Sequence, residues 1–262
     1  MKTIENRRCA FCDTLLTREN RSKEHILPKW LLDFLEVRGE KIQPTHFSNI
    51  GETITTRHHT LEGLLAGQIC DLCNNGWMSQ LEQEAMPILK PLMLGTTRIV
   101  DLNENERQII SRWTAKTAFA LNSSSNYLKN VPSSHYQHIR LNIDSLPLKV
   151  SSFGQQHHGD RPFFWIQSAT WLLNGNSDKL VELEDELKNN SYKISFQFGK
   201  LMLLIVYIPI DKIYPVLWKG IHVPLLPKSG KCGYYERHEF SWTDSNKALN
   251  EFHLGLQAII IQ

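Results

Sequence analysis

The sequence predicts an α+β protein built from a metal-binding module over residues 1–95, a helical connector over 96–125 and an α+β domain over 126–262. Three observations carry that expectation. Four of the five cysteines fall as two C-x2-C pairs before residue 96, in loop-rich surroundings. A capped, apolar-periodic stretch follows. Beyond Ser123 the chain changes texture, and runs of aromatic and β-branched residues alternate with short helical patterns.

Taken in order, the elements rest on spacing and on turn residues. Lys29–Glu36 has the composition of a short helix inserted between the cysteine pairs. After the second pair, Trp77, Met78, Leu81, Ala85, Ile88, Leu89 and Leu92 recur at helical spacing. Pro87 should end or kink that helix, or begin a second one. Asn103 can cap a helix from about Glu104 to Leu121, with Glu106 completing the capping box. Ile109, Ile110, Trp113, Thr117, Ala118 and Leu121 form its apolar face. Leu146–Phe153, Phe163–Leu173, Tyr192–Phe198 and Leu201–Ile208 read as strands. Gly199-Lys200 fits a two-residue hairpin loop between the last two. Asp178–Lys188 and Ser245–Ile260 read as helices. His135, His138, His157 and His158 lack a third ligand and are expected on the surface or in loops.

Composition narrows the function classes. A formal charge of only +2 over 262 residues argues against a protein that coats polyanions through overall charge. Residues 1–29 are locally basic, however, through Lys2, Arg7, Arg8, Arg18, Arg21, Lys23 and Lys29. The longest apolar run, Leu201–Ile210, is half the ~20 residues that span a bilayer, so no membrane association is expected. No apolar leader opens the chain, and a cytoplasmic location is expected.

In that setting paired cysteines favour metal ligation over disulfides. Two C-x2-C turns, Cys9/Cys12 and Cys70/Cys73, supply the four soft ligands of tetrahedral Zn2+. Such a zinc is structural, since four thiolates leave no open position. Redox chemistry would need a thioredoxin-like βαβ setting, which this region lacks. Cys232 is left as a spare thiol.

Any chemistry must then lie elsewhere than on that zinc. Glu24-His25-Ile26-Leu27-Pro28-Lys29-Trp30-Leu31 follows the first pair, and Asn74-Asn75-Gly76-Trp77-Met78-Ser79 follows the second directly. Over roughly residues 7–83, this layout resembles the zinc-stabilised HNH endonucleases, the ββα-metal or His-Me finger fold. The resemblance implies a His general base at His25. It also implies a catalytic Mg2+ or Mn2+ ligated by Glu24 and Asn74, with Asn75 as the adjacent candidate. The family's middle Asn, which orients the base, has Asn49 as nominee, with His58 and His59 as alternatives. Three departures stand out: Glu replaces the usual Asp before the base, Trp77 and Met78 occupy positions that often carry Lys or His, and the segment between His25 and Cys70 is long.

The activity implied is metal-dependent hydrolysis of nucleic acid, with DNA as the expected substrate, in a setting such as phage defence or a mobile element. A non-catalytic zinc adapter that binds nucleic acid or protein is the alternative, and chemistry housed in residues 126–262 is a third reading. That C-terminal region shows no catalytic set and would serve specificity, sensing, homodimerisation or partner binding.

Overall fold

The computed structural model describes residues 7–22, 25–47, 53–56, 58–124, 129–159, 161–171, 173–174, 180–211, 213–218, 221–227, 233–235, 245–254 and 257–260. Its first element, α1 (Lys29–Phe34), begins after Pro28, whose φ of −58° suits a helix entry. Short strands follow: β1 (Lys41–Ile42), β2 (Thr45–Phe47), β3 (Thr53–Thr56) and β4 (His59–Thr60). β1 pairs with β4 and β2 with β3, both antiparallel, so the long segment between His25 and Cys70 folds back on itself as nested hairpins.

One helical turn, α2 (Asp71–Cys73), leads through the widened turn Asn74–Met78 into α3 (Ser79–Leu94). α3 does not end at Pro87; it continues through Pro87 and Pro91. Each proline removes one backbone donor from the helix. Burial of Leu81, Ala85, Leu89 and Leu92 holds the helix together across those losses. Gly95, at φ 72°, then closes it in a Schellman arrangement, with Gly95 N donating to Leu92 O at 3.1 Å and Thr96 N to Pro91 O at 3.0 Å.

α4 (Glu104–Ser124) carries the expected capping box. Asn103 Oδ1 accepts from Glu106 N at 3.0 Å, and Glu106 Oε2 accepts from Asn103 N at 2.9 Å. Its burial was not expected from an amphipathic pattern. Every residue from Ile110 to Ser123 is buried, including Arg112 and Lys116. The charged pair explains how this is tolerated. Lys116 Nζ meets Glu82 Oε1 of α3 at 2.6 Å, and Arg112 Nε donates to Ile139 O at 3.1 Å. The expected connector is thus the central helix, packed on α3 and on the sheet that follows.

The remaining elements are α5 (Ser133–Leu141), β5 (Val150–Gln156), β6 (Phe163–Ser168), β7 (Leu173–Asn174), α6 (Leu180–Asn190), β8 (Tyr192–Phe198), β9 (Leu201–Tyr207), β10 (Ile213–Trp218), β11 (Val223–Leu226), β12 (Gly233–Tyr235), α7 (Ser245–Leu254) and β13 (Gln257–Ile260). One sheet has the order β11-β5-β9-β8-β6, all antiparallel, and a second has the order β12-β10-β13-β7. In β9, Leu201, Leu203 and Ile205 face the core shared with α4, while Met202, Leu204 and Val206 face a second core with α7. Burial on both faces accounts for the long apolar run there. The hairpin turn Gly199-Lys200 sits where expected, with Gly199 at φ 55°. A Cβ on Gly199 would lie 2.9 Å from Met93 O, so the turn docks tightly on the end of α3, where Lys200 N donates to the same carbonyl at 2.9 Å.

Three strand and helix expectations shift. The strand expected from Leu146 begins at Val150, after Lys149 at φ 63°. The run Phe163–Leu173 splits into β6 and β7, which belong to different sheets. The helix expected through Ile260 stops at Leu254, and Gln257–Ile260 pairs antiparallel with β10. Apolar Ile259 and Ile260 satisfy a helix face and a strand equally, and the open edge of β10 decides. Among the described residues, no helix is long and apolar enough to cross a membrane.

Candidate metal centre and histidine site

Cys9 and Cys12 lie in a tight turn. Cys9 N donates to Thr14 O at 2.8 Å, Asp13 N returns to Cys9 O at 2.9 Å, and Asp13 adopts φ 60°. Cys70 and Cys73 flank α2, where Asn74 N donates to Cys70 O at 3.0 Å. An antiparallel chain pair brings the two turns together: Arg21 pairs with Cys70, Ser22 N donates to Ile69 O at 2.9 Å, and Ala10 N donates to Gln68 O at 2.9 Å.

All four sulfurs lie within 4.8 Å of one another, with Cys12 Sγ and Cys70 Sγ at 3.5 Å. Four thiolates at ~2.3 Å from a tetrahedral zinc would be separated by ~3.8 Å, so the donor set fits that ion. A hydrogen bond from the Cys73 thiol pulls Cys9 down to about 4 against the effect of burial, with the Cys70 amide assisting from 3.4 Å. That same bond and burial push Cys73 up, and burial raises Cys70. Four sulfur anions this close repel one another, and a divalent ion at their centre removes the conflict. Among the described residues this is the one such cluster of His, Cys, Asp or Glu side chains.

The site is anchored by aromatics. Phe11, fully buried inside the first turn, meets Trp77 edge-on at 5.4 Å and Tyr136 of α5 at 5.2 Å. Arg112 of α4 stacks over the Trp77 ring at 5.5 Å. Trp77 is therefore a packing anchor between the cysteine turns and the central helix.

His25 lies on the same antiparallel pair, opposite Leu65, where Ile26 N donates to Leu64 O at 2.9 Å. Its Nδ1 is 2.7 Å from the Glu62 carbonyl oxygen. A carbonyl can only accept, so Nδ1 carries the proton and Nε2 presents a lone pair on this partly exposed ring. Sequence reasoning missed Glu62, because a main-chain acceptor leaves no mark on residue type. The chain thus runs as two antiparallel extended segments followed by a helix, with His25 on the first segment and Asn74 in the turn that enters the helix. Asn74 Nδ2 donates to Asn75 Oδ1 at 3.3 Å, and among the described residues nothing donates to Asn74 Oδ1. Glu24 and Asn49 lie outside the described residues. His58 and His59 make no hydrogen bond to His25 among the described residues.

No protein-family model, curated protein or solved structure matches this chain.

The other expected surface histidines divide. His158 is exposed, but His135 and His157 are buried, and His135 Nδ1 meets Tyr192 Oη at 3.0 Å. Aromatic neighbours on α4, β8 and β9 claim His135 as a core side chain.

Proposed function

We propose that the protein is a metal-dependent endonuclease in which His25 is the general base and the four cysteines hold a structural zinc. The observation that carries the reading is the 2.7 Å contact from His25 Nδ1 to the Glu62 carbonyl. It leaves Nε2 as a basic lone pair on a histidine whose chain segment is tied to a four-thiol cluster, an arrangement suited to taking a proton from water.

Glu24 and Asn74 would hold a hard divalent cation, Mg2+ or Mn2+, through a carboxylate and an amide oxygen, with Asn75 beside them. When bound, such a cation stabilises the charge that builds on the phosphate and the leaving oxygen. The donor chemistry fits, since the Asn74 amide nitrogen is engaged by Asn75 and its oxygen is left to bind. His25 withdraws the proton of the attacking water at Nε2, and the Glu62 carbonyl stabilises the resulting imidazolium through Nδ1–H. The cysteine turns act only on position. They fix the start of α2, and with it Asn74, relative to the segment that carries His25.

The test is cleavage of plasmid DNA and of RNA with Mg2+ or Mn2+ by wild type and by His25→Ala, with zinc content and thermal melting recorded for both. Loss of cleavage with zinc and melting intact supports the assignment. Equal cleavage by the variant overturns it, and binding of nucleic acid without cleavage by wild type points to the adapter.

A further inference from the structure

We propose that the C-terminal part of the protein binds a small phosphomonoester in the cavity between the start of α5 and the chain entering β5. The cavity has a volume of about 330 Å³ and is lined by Ser134, His135, His138, Lys149, Tyr207 and Pro209, among others. None of these residues takes part in the cysteine cluster or touches His25. The size is at the low end for ligand sites, suited to a phosphosugar or a mononucleotide.

Its floor is a histidine built to donate. His135 is only 6% exposed, and its ring is wedged edge-on against Tyr207 at 4.6 Å. The Tyr192 phenol is fully buried and kept protonated by burial, so its proton needs an acceptor. Among the described residues that acceptor is His135 Nδ1, 3.0 Å away. With Nδ1 accepting from that phenol, the imidazole proton sits on Nε2, which has no protein partner among the described residues, and His135 lines the cavity. Burial holds the ring's pKa near 4, so it presents a neutral N–H donor at ordinary pH.

Lys149 and Ser134 add further donors. Lys149 is held at the rim by Asp211 Oδ1 at 2.6 Å and by the Pro209 carbonyl. The Asp211 side chain is 88% exposed, so that ion pair yields easily to a better anion. α5 begins at Ser133 with Pro132 at its N-cap, where no side chain caps the first-turn amides, and Ser134 of that turn lines the cavity. A cation on the chain entering β5, facing a neutral N–H, a hydroxyl and a helix start that all belong to the first turn of α5, is a donor set suited to the several oxygens of a tetrahedral oxyanion. Tyr207, Pro147 and Pro209 offer an apolar wall for the organic part.

Isothermal titration of the full chain with inorganic phosphate, adenosine 5′-monophosphate, acetate and adenosine tests this. Phosphate and the nucleotide should bind saturably, and acetate and adenosine at least ~10-fold more weakly, as expected when charge-assisted hydrogen bonds carry affinity. Lys149→Asn, which tolerates the positive φ, and His135→Gln should each weaken the nucleotide by roughly 10-fold. Asp211→Asn, fully at the surface, should tighten it about threefold by releasing Lys149. His25→Ala should leave binding unchanged, which separates this site from the endonuclease reading. No saturable binding below about 10 mM, adenosine binding as well as its phosphate, or equal affinity in wild type, Lys149→Asn and Asp211→Asn overturns the proposal.

Discussion

Removing the proposed zinc is the perturbation whose size can be worked most directly from the fold. Cys12 and Cys70 are 58 positions apart and their sulfurs touch at 3.5 Å. A cross-link closing a loop of that length restricts the unfolded chain by about 4 kcal/mol at 25 °C on the chain-entropy relation used for disulfides. With an unfolding entropy of ~2.1 cal/mol/K per residue, that term alone corresponds to roughly 7 °C in Tm for a chain of this length. The thiolate–zinc bonds add to it, since structural zinc sites contribute on the order of 10 kcal/mol or more at neutral pH. Phe11 and Trp77 transmit the loss to α4 and α5. The assay is differential scanning calorimetry of wild type before and after chelation, and of Cys73→Ser, with metal content measured in each sample. Both metal-free samples should melt at least ~7 °C lower and with reduced cooperativity. Protein shown to be metal-free that melts within about 2 °C of the starting material would refute the reasoning.

Three further expectations follow from the same structure. His25→Ala should reduce cleavage by roughly 10²–10⁴-fold while leaving zinc and melting unchanged, read by initial rates on plasmid. Glu82→Gln strands Lys116, whose side chain is only 4% exposed, and should destabilise by about 3–5 kcal/mol in urea unfolding; Lys116→Met added to it should restore most of that loss. Lys193 is buried over the Trp171 ring at 4.7 Å, and burial depresses its pKa to about 7. The unfolded lysine binds its proton from ~10.4 downward, so wild type loses stability as pH falls from there to about 7, by about 1.4 kcal/mol per pH unit. Lys193→Met lacks that loss, and its stability relative to wild type should rise across the same window; a pH-independent difference would show that Lys193 titrates normally.

What was legible in the residues was whatever depends on local pattern. The capping box at Asn103 and Glu106, the turn at Gly199-Lys200 and the ligand spacing of the four cysteines each involve a few neighbours in sequence, and each forms as its spacing suggests. Features settled by distant partners were not legible. Pro87 breaks an isolated helix, but α3 leans on α4 and continues. Ile259 and Ile260 suit a helix face until β10 offers an edge. The histidines show the same division. His25 stood out through its neighbours Glu24 and Pro28, yet the atom that orients it belongs to the backbone of Glu62. His135 read as a surface or loop residue, and its burial depends on partners such as Tyr192, 57 positions away.

The burial of α4 on all sides from Ile110 to Ser123 bears on how this molecule can be taken apart. A helix flanked by solvent could be given to one half or the other, but Glu104–Ser124 supplies core surface to the cysteine region and to the large sheet at once. A cut on either side of it would leave one fragment with a bare apolar cylinder and the other with an uncovered sheet face or an uncovered α3. Fragments made that way should aggregate rather than report on isolated activities. Separating the roles of the two ends therefore calls for substitutions that leave the chain whole, and the N-terminal region is not a cassette that can be transplanted without its inner helix.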